Sequence, residues 1–213
     1  FHTDACQAAG ALDLKIDKLG IDLMTLNGSK IYGPKGVGCL YVSEDIKLEP
    51  IIVGGGQENN MRAGTENAAL IVGFSEALKL ADKIKEKEGK RLKNLRDYFI
   101  KKILKNIPKS RLNGDLVKRL PNNINISISG VEGESLILML DNQEIFASTG
   151  SACTSGNLNP SHVLLAIGLP AELTHGSLRF TMGRKTTKKE IDYVLEVLTP
   201  IVYKLREISS IKI

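Results

Sequence analysis

The chain has 213 residues, 42% apolar and 25% charged, with no Trp and 5% aromatics, which describes a globular protein packed mainly on aliphatic side chains. Its 29 Lys and Arg against 24 Asp and Glu leave a formal charge of +5, but the lysines alternate with glutamates along helix faces such as Lys83 to Lys93. No basic patch with interleaved aromatics forms, so a direct nucleic-acid partner is not expected. No apolar run reaches membrane-span length and no signal peptide opens the chain, while three cysteines without a CxxC pair or metal-ligand spacing point to a reducing compartment, the cytoplasm, and to no metal.

In chain order, residues up to about Gly64 read as strands joined by glycine-rich connections. Ile21 to Leu26 and Val37 to Val42 are apolar runs suited to strands. The turn formers of Asn27-Gly28-Ser29-Lys30-Ile31-Tyr32-Gly33-Pro34-Lys35-Gly36 lie between them, and Gly54-Gly55-Gly56 marks a further loop. Apolar residues at three-to-four spacing (Leu70, Phe74, Ala77, Leu78, Ala81, Ile84, then Leu92, Leu95, Phe99, Ile103) predict helix from Thr65 to Asn106. The charged stretch Lys85 to Lys90 is expected to hand one helix over to another. It sets the expected domain boundary, 1–85 and 86–213.

The second part mixes strands and helices. Asn123 to Ile128 alternates with period two, a half-buried strand; Glu132 to Leu140 reads as helix; Asn159-Pro160 reads as a helix start. Ser177 to Met182 suits a strand. Thr187 with Glu190 forms a capping box for a last helix, which Pro200 is expected to kink or interrupt. The small, polar stretch from Ser148 to Asn157 buries little apolar surface and is expected to be mobile.

Cys6 and Cys39 sit among residues that suit packing, the usual fate of cysteine. Cys153 sits among Ser, Gly, Ala and Thr, which offer no core, and reads as a nucleophile. A lysine in a turn is ordinarily solvated but can join an aldehyde cofactor if partly desolvated; spacing alone does not choose between Lys30 and Lys35. Asp4, at a strand end, can simply cap the next element. Arg179 alternates with apolar residues in a strand, where its fork suits a carboxylate or else faces solvent; Arg62 and Arg184 are further candidates for anion binding or surface ion pairs.

Four segments in this order carry a resemblance: Asp4-Ala5-Cys6-Gln7, Asn27 to Gly36, Met61-Arg62-Ala63-Gly64-Thr65, and Ser148-Thr149-Gly150-Ser151-Ala152-Cys153-Thr154-Ser155. Asn113-Gly114-Asp115, Val131 to Leu136 and Leu178-Arg179-Phe180 extend it over essentially the whole chain. The pattern resembles the NifS/IscS-type cysteine desulfurases of the class-V aminotransferase group. The Ser148–Ser155 loop is its most specific element.

The resemblance implies an α/β fold: part of a type I pyridoxal-phosphate enzyme, with the end of the large cofactor domain followed by a smaller C-terminal α+β domain. It implies that Lys30 holds pyridoxal phosphate and that Asp4 pairs with the pyridine nitrogen. Gln7 would bond the ring's phenolic oxygen, and Asn27, Ser29 and Thr65 would contact the phosphate. Arg179 would clamp the carboxylate of L-cysteine and Cys153 would take its sulfur as a persulfide. Many relatives carry Ser in place of Asn27 and His in place of Ser29, so a charge-assisted phosphate contact is replaced here by neutral ones. The threonine matching Thr65 reaches the phosphate of the neighbouring subunit in relatives, which implies a homodimer. The expected partners are L-cysteine and an iron–sulfur scaffold or another sulfur acceptor such as a tRNA-thiolation carrier. Rival expectations are a selenocysteine lyase or aminotransferase of the same class, or a catalytically inactive module that only docks acceptors. The chain opens Phe1-His2-Thr3-Asp4 without an initiator Met and reads as a fragment, expected to bind cofactor poorly alone.

Overall fold

The computed structural model describes residues 1–149 and 160–209. The chain divides into two compact units, Phe1–Glu88 and Gly89–Ile213. In the first, strands β1 (His2–Asp4), β2 (Leu23–Asn27) and β3 (Gly38–Val42) form a sheet in that order, β1 parallel to β2 and β3 antiparallel to it. A parallel pair needs a long crossover. Here the chain between β1 and β2 supplies it and includes the short helix α1 (Ile16–Leu19), closed by Gly20 at φ 60°.

Helix α2 (Ala68–Asn106) begins in this unit. Its Phe74, Ala77 and Ala81 recur every three to four residues and bury against Ile31 and Ala9, so one helical stripe covers the turn that follows β2. The approach is close because glycines allow it. A Cβ on Gly33 would stand 2.8 Å from the Ala77 Cβ, and one on Gly73 would stand 2.7 Å from the Pro34 Cγ.

The second unit holds the rest of α2 and an antiparallel sheet of β4 (Ser110–Leu112), β5 (Asn123–Ile128) and β6 (Ser177–Thr181). Its helices are α3 (Gly133–Asp141), α4 (His162–Ala166), α5 (Ala171–Thr174) and α6 (Lys188–Ile208). Ile124, Ile126 and Ile128 of β5 with Leu178 and Phe180 of β6 face a core closed by Phe99 and Ile103 of α2, Leu136 and Leu140 of α3, and Leu198 and Val202 of α6. The Phe99 and Phe180 rings meet at 5.2 Å.

The period-two reading of Asn123 to Ile128 locates the apolar face, yet the opposite face is not left to water. Ser127 is buried, because the Asn113 amide donates to Asn125 Oδ1 at 2.6 Å and to Ser127 Oγ at 2.8 Å. Buried polar groups need such partners. The capping box forms as expected: Thr187 Oγ1 accepts from Glu190 N at 3.3 Å, and the Glu190 carboxylate accepts from Thr187 N at 2.7 Å.

Four local expectations are corrected. α2 is one helix through Lys85 to Lys90 with no handover, since Gly89 alone breaks neither its hydrogen bonds nor its sterics. α6 is not interrupted at Pro200, where the Thr199 hydroxyl donates to the Leu195 carbonyl at 2.8 Å. The helix expected from Asn159-Pro160 starts at His162 with Ser161 as N-cap, its Oγ accepting from Leu164 N at 3.4 Å; Asn159 lies outside the described residues. Cys39 is exposed, because β3 ends its sheet and Gly38 to Leu40 are uncovered among the described residues.

Candidate functional site

The two parallel strands of the first unit end in the same way. β1 finishes at Asp4, whose Oδ1 accepts the N–H of Cys6 at 3.0 Å; β2 finishes at Asn27, whose Oδ1 accepts the N–H of Ser29 at 2.8 Å. In each case a short side chain turns back to catch the amide two residues on, which fixes a tight turn at the strand's carboxyl end. The strands run parallel with Asp4 opposite Thr25, so both turns open on one edge of the sheet. That edge is where open α/β sheets take ligands.

After β2 the turn tightens into a 3-10 segment, Gly28–Ile31, with Lys30 exposed on it and Ile31 buried under α2. Gly28 is the tightest point, since a Cβ there would stand 2.8 Å from the Pro34 carbonyl oxygen and 3.0 Å from the Val37 Cγ1. The segment closes at Tyr32, a non-glycine residue at φ 64° whose N–H donates to the Gly28 carbonyl. Left-handed backbone of this kind is uncommon outside Gly, Asn and Asp. Ile31 is therefore locked inward while Lys30 is left outward.

The electrostatics of the two turns are linked. The Asp4 carboxyl is held below its ordinary range by hydrogen bonds from Cys6, first from the thiol and then from the backbone N–H. Conversely, burial and then the Asp4 hydrogen bond push the Cys6 thiol up to about 11, while the Lys30 charge acts in the opposite direction. The thiol also faces the Thr25 carbonyl at 3.8 Å. Cys6 is thus a protonated thiol set beside Asp4 that lowers the carboxyl's midpoint, a neighbour the sequence reading missed. The signal available was its position two residues after a strand-end Asp.

Of the expected site residues, the structure brings Asp4, Asn27, Ser29 and Lys30 to one edge. Gln7 and Thr65 belong to the same unit, and both are exposed. Arg62 turns onto its own chain, Nη1 donating to the Ala63 carbonyl at 2.8 Å. Arg179 lies in the second unit, half-buried in the middle of β6. Its backbone pairs with Ser148, and its Nη2 donates to Ser148 Oγ at 3.2 Å. Arg184 offers its backbone carbonyl to the Arg91 guanidinium at 3.1 Å. Cys153 and the rest of its loop from Gly150 to Asn159 lie outside the described residues.

The class-V aminotransferase family model matches residues 1–194. The chain belongs to the class-V aminotransferase family. Within it, the chain is 53% identical over 212 residues to a protein named cysteine desulfurase IscS from Dictyoglomus turgidum, covering 100% of this chain and 54% of that one. A Clostridium botulinum protein of the same name is 52% identical over 213 residues, covering 99% and 54%. The solved NifS-like protein of Rickettsia africae superposes with a TM-score of 0.86 at 32% identity, over 96% of this chain and 53% of its own. The chain spans about half the length of these relatives. The α/β class expected from the sequence holds, and so does the membership.

Class-V enzymes depend on pyridoxal phosphate, and the strand-end donor set fits that group. It offers an outward amine at Lys30, a carboxylate at Asp4 held ionised, and an Asn27 amide whose oxygen is committed to the turn, leaving its N–H2 to donate. Among the described residues, no helix is long and apolar enough to cross a membrane and no cluster of three or more metal-type ligands occurs.

Proposed function

We propose that this chain carries the cofactor lysine and the sulfur-accepting cysteine of a cysteine desulfurase, which converts L-cysteine to L-alanine and supplies sulfur for iron–sulfur cluster assembly or tRNA thiolation. The observation that carries this reading is the shared strand edge. Asp4 ends one of two adjacent parallel strands and Lys30 follows the other, each strand closed by the same turn, in a chain about half identical to proteins of that name.

Bound pyridoxal phosphate supplies an electron sink for the substrate carbon. Lys30 would anchor it and move the proton at the substrate Cα. Asp4 would face its ring nitrogen as an anion, Gln7 its phenolic oxygen, and Asn27, Ser29 and Thr65 its phosphate. Arg179 receives the L-cysteine carboxylate through its planar fork. Cys153, as thiolate, attacks the substrate sulfur. An S–S bond forms as the C–S bond breaks, and the carbon keeps the electron pair, takes a proton and leaves as alanine.

Residues 1–85 then close the large cofactor domain and 86–213 form the smaller one. The working assembly is a cytoplasmic homodimer in which Thr65 reaches the neighbouring subunit's phosphate, with an iron–sulfur scaffold or tRNA-thiolation carrier as acceptor. Replacing Cys153 by Ser in the full-length holoprotein tests the reading. Alanine production from L-cysteine is expected to fall to background with the cofactor's absorbance retained, and unchanged production would refute the assignment.

A further inference from the structure

Resting on the reading of Arg179 as the carboxylate clamp, we propose that Ser148 is the positioning residue that aims it. Arg179 stands on the polar face of β6, opposite Asn125 of β5. Among the described residues its guanidinium has one side-chain partner, Ser148 Oγ at 3.2 Å, and no carboxylate pairs with it. A half-buried guanidinium without an acidic partner holds N–H donors in reserve for a ligand anion.

A fork binds a carboxylate bidentately only if its plane is oriented, and the hydrogen bond from Nη2 orients it while Nη1 and Nε have no partner among the described residues. The support for that bond is firm. The Arg179 N–H donates to the Ser148 carbonyl at 2.7 Å, and the Ser148 N–H donates to the Arg179 carbonyl at 3.1 Å. Thr149 is seated as well: a Cβ on Gly133 would stand 2.5 Å from its Cγ2, so Gly133 leaves room for it. The chain entering the Cys153 loop is therefore pinned, five residues ahead of the thiol, to the residue that receives the substrate.

The test is a spectral titration of the full-length holoprotein with L-alanine, the carboxylate-bearing product, and with ethylamine, which lacks the carboxylate. Ser148→Ala is expected to weaken L-alanine about tenfold, the scale of losing the orientation of one charge-assisted pair. It should leave ethylamine unchanged. Ser148→Thr, which keeps the hydroxyl, should bind L-alanine as the parent does. Equal weakening of both ligands, or no weakening of L-alanine, overturns the positioning role. Arg179→Lys is the control for the underlying reading. If it leaves L-alanine binding intact, the clamp assignment itself fails, whereas impaired Arg179→Lys with unimpaired Ser148→Ala sinks only the role of Ser148.

Discussion

Asn27 Oδ1 accepts two hydrogen bonds from Ser29, from its N–H at 2.8 Å and from its hydroxyl at 2.6 Å. The Ser29 proton therefore points into the turn here, and the Asn27 amide nitrogen is free to face an anion beside the Lys30 amine; Ser29 joins a phosphate contact by rotating its hydroxyl outward. Asn27 thus serves as both cap and donor, and Ser29 holds it in that position.

Two variants at Asn27 separate those roles. Asn27→Ala removes the cap and is expected to cost about 1 kcal/mol of stability together with cofactor affinity. Asn27→Asp keeps the acceptor, so the fold should hold, but it replaces the donor by an anion and should weaken cofactor binding more than Asn27→Ala does. Denaturant melts and cofactor titration of the full-length protein check both.

Glycine has opposite meanings at two places. Gly28→Ala drives a methyl against the Pro34 carbonyl and Val37 and is expected to destabilise by about 1–3 kcal/mol, as overpacking does. Gly89→Ala lies in α2 with nothing within 4 Å of the new Cβ. It should stabilise by roughly 0.5–1 kcal/mol by removing backbone entropy from the unfolded chain. Equal shifts in melting temperature for the two would contradict the packing described.

The Cys6–Asp4 pair has a pH signature. Asp4 titrates below the ordinary carboxylate range because Cys6 donates to it, so its contribution to stability is present above that range and is lost as pH falls through the depressed midpoint. The Cys6 thiol behaves in the opposite sense. It is raised from 9.0 to about 11, so its contribution is full below about pH 9 and fades as pH rises toward 11. In Cys6→Ala the backbone donor remains and the thiol donor goes. The Asp4 midpoint, followed by carboxyl carbon NMR, should rise toward its ordinary value.

Arg96 is 2% exposed and spends its fork on Asp97 and on the Arg119 and Leu120 carbonyls. Arg96→Ala empties the buried space of its side chain and removes a donor from both carbonyls and from Asp97, which keeps Lys93, and is expected to cost about 2 kcal/mol. Arg96→Lys should recover only part of it, because an ammonium cannot span both targets in a plane. Urea unfolding of the three proteins measures the difference.

Much of this arrangement was legible in the residues. The stripe Phe74, Ala77, Ala81 named the buried face of α2, the alternation at Asn123 to Ile128 named the apolar face of β5, and Thr187 with Glu190 named the start of α6. The strand-end segments carried the family resemblance. These signals are local: each depends on side-chain periodicity or on a hydrogen bond a few residues long. Cys39 was misread for the complementary reason. An apolar strand run says that a residue can be buried, while the position of its strand in the sheet says whether it is.

By itself the sequence determined most element types, the candidate site residues and the family, because propensity, period and motif spacing are properties of adjacent residues. Tertiary structure decided which of those candidates lie together. Parallel pairing of β1 with β2 brings Asp4 and Lys30 to one edge across some two dozen residues, and the bridge from β6 brings Ser148 to Arg179 across 31. Such contacts require closing long loops, and what closes them is the sum of core burial over each whole unit, which no short window of sequence contains.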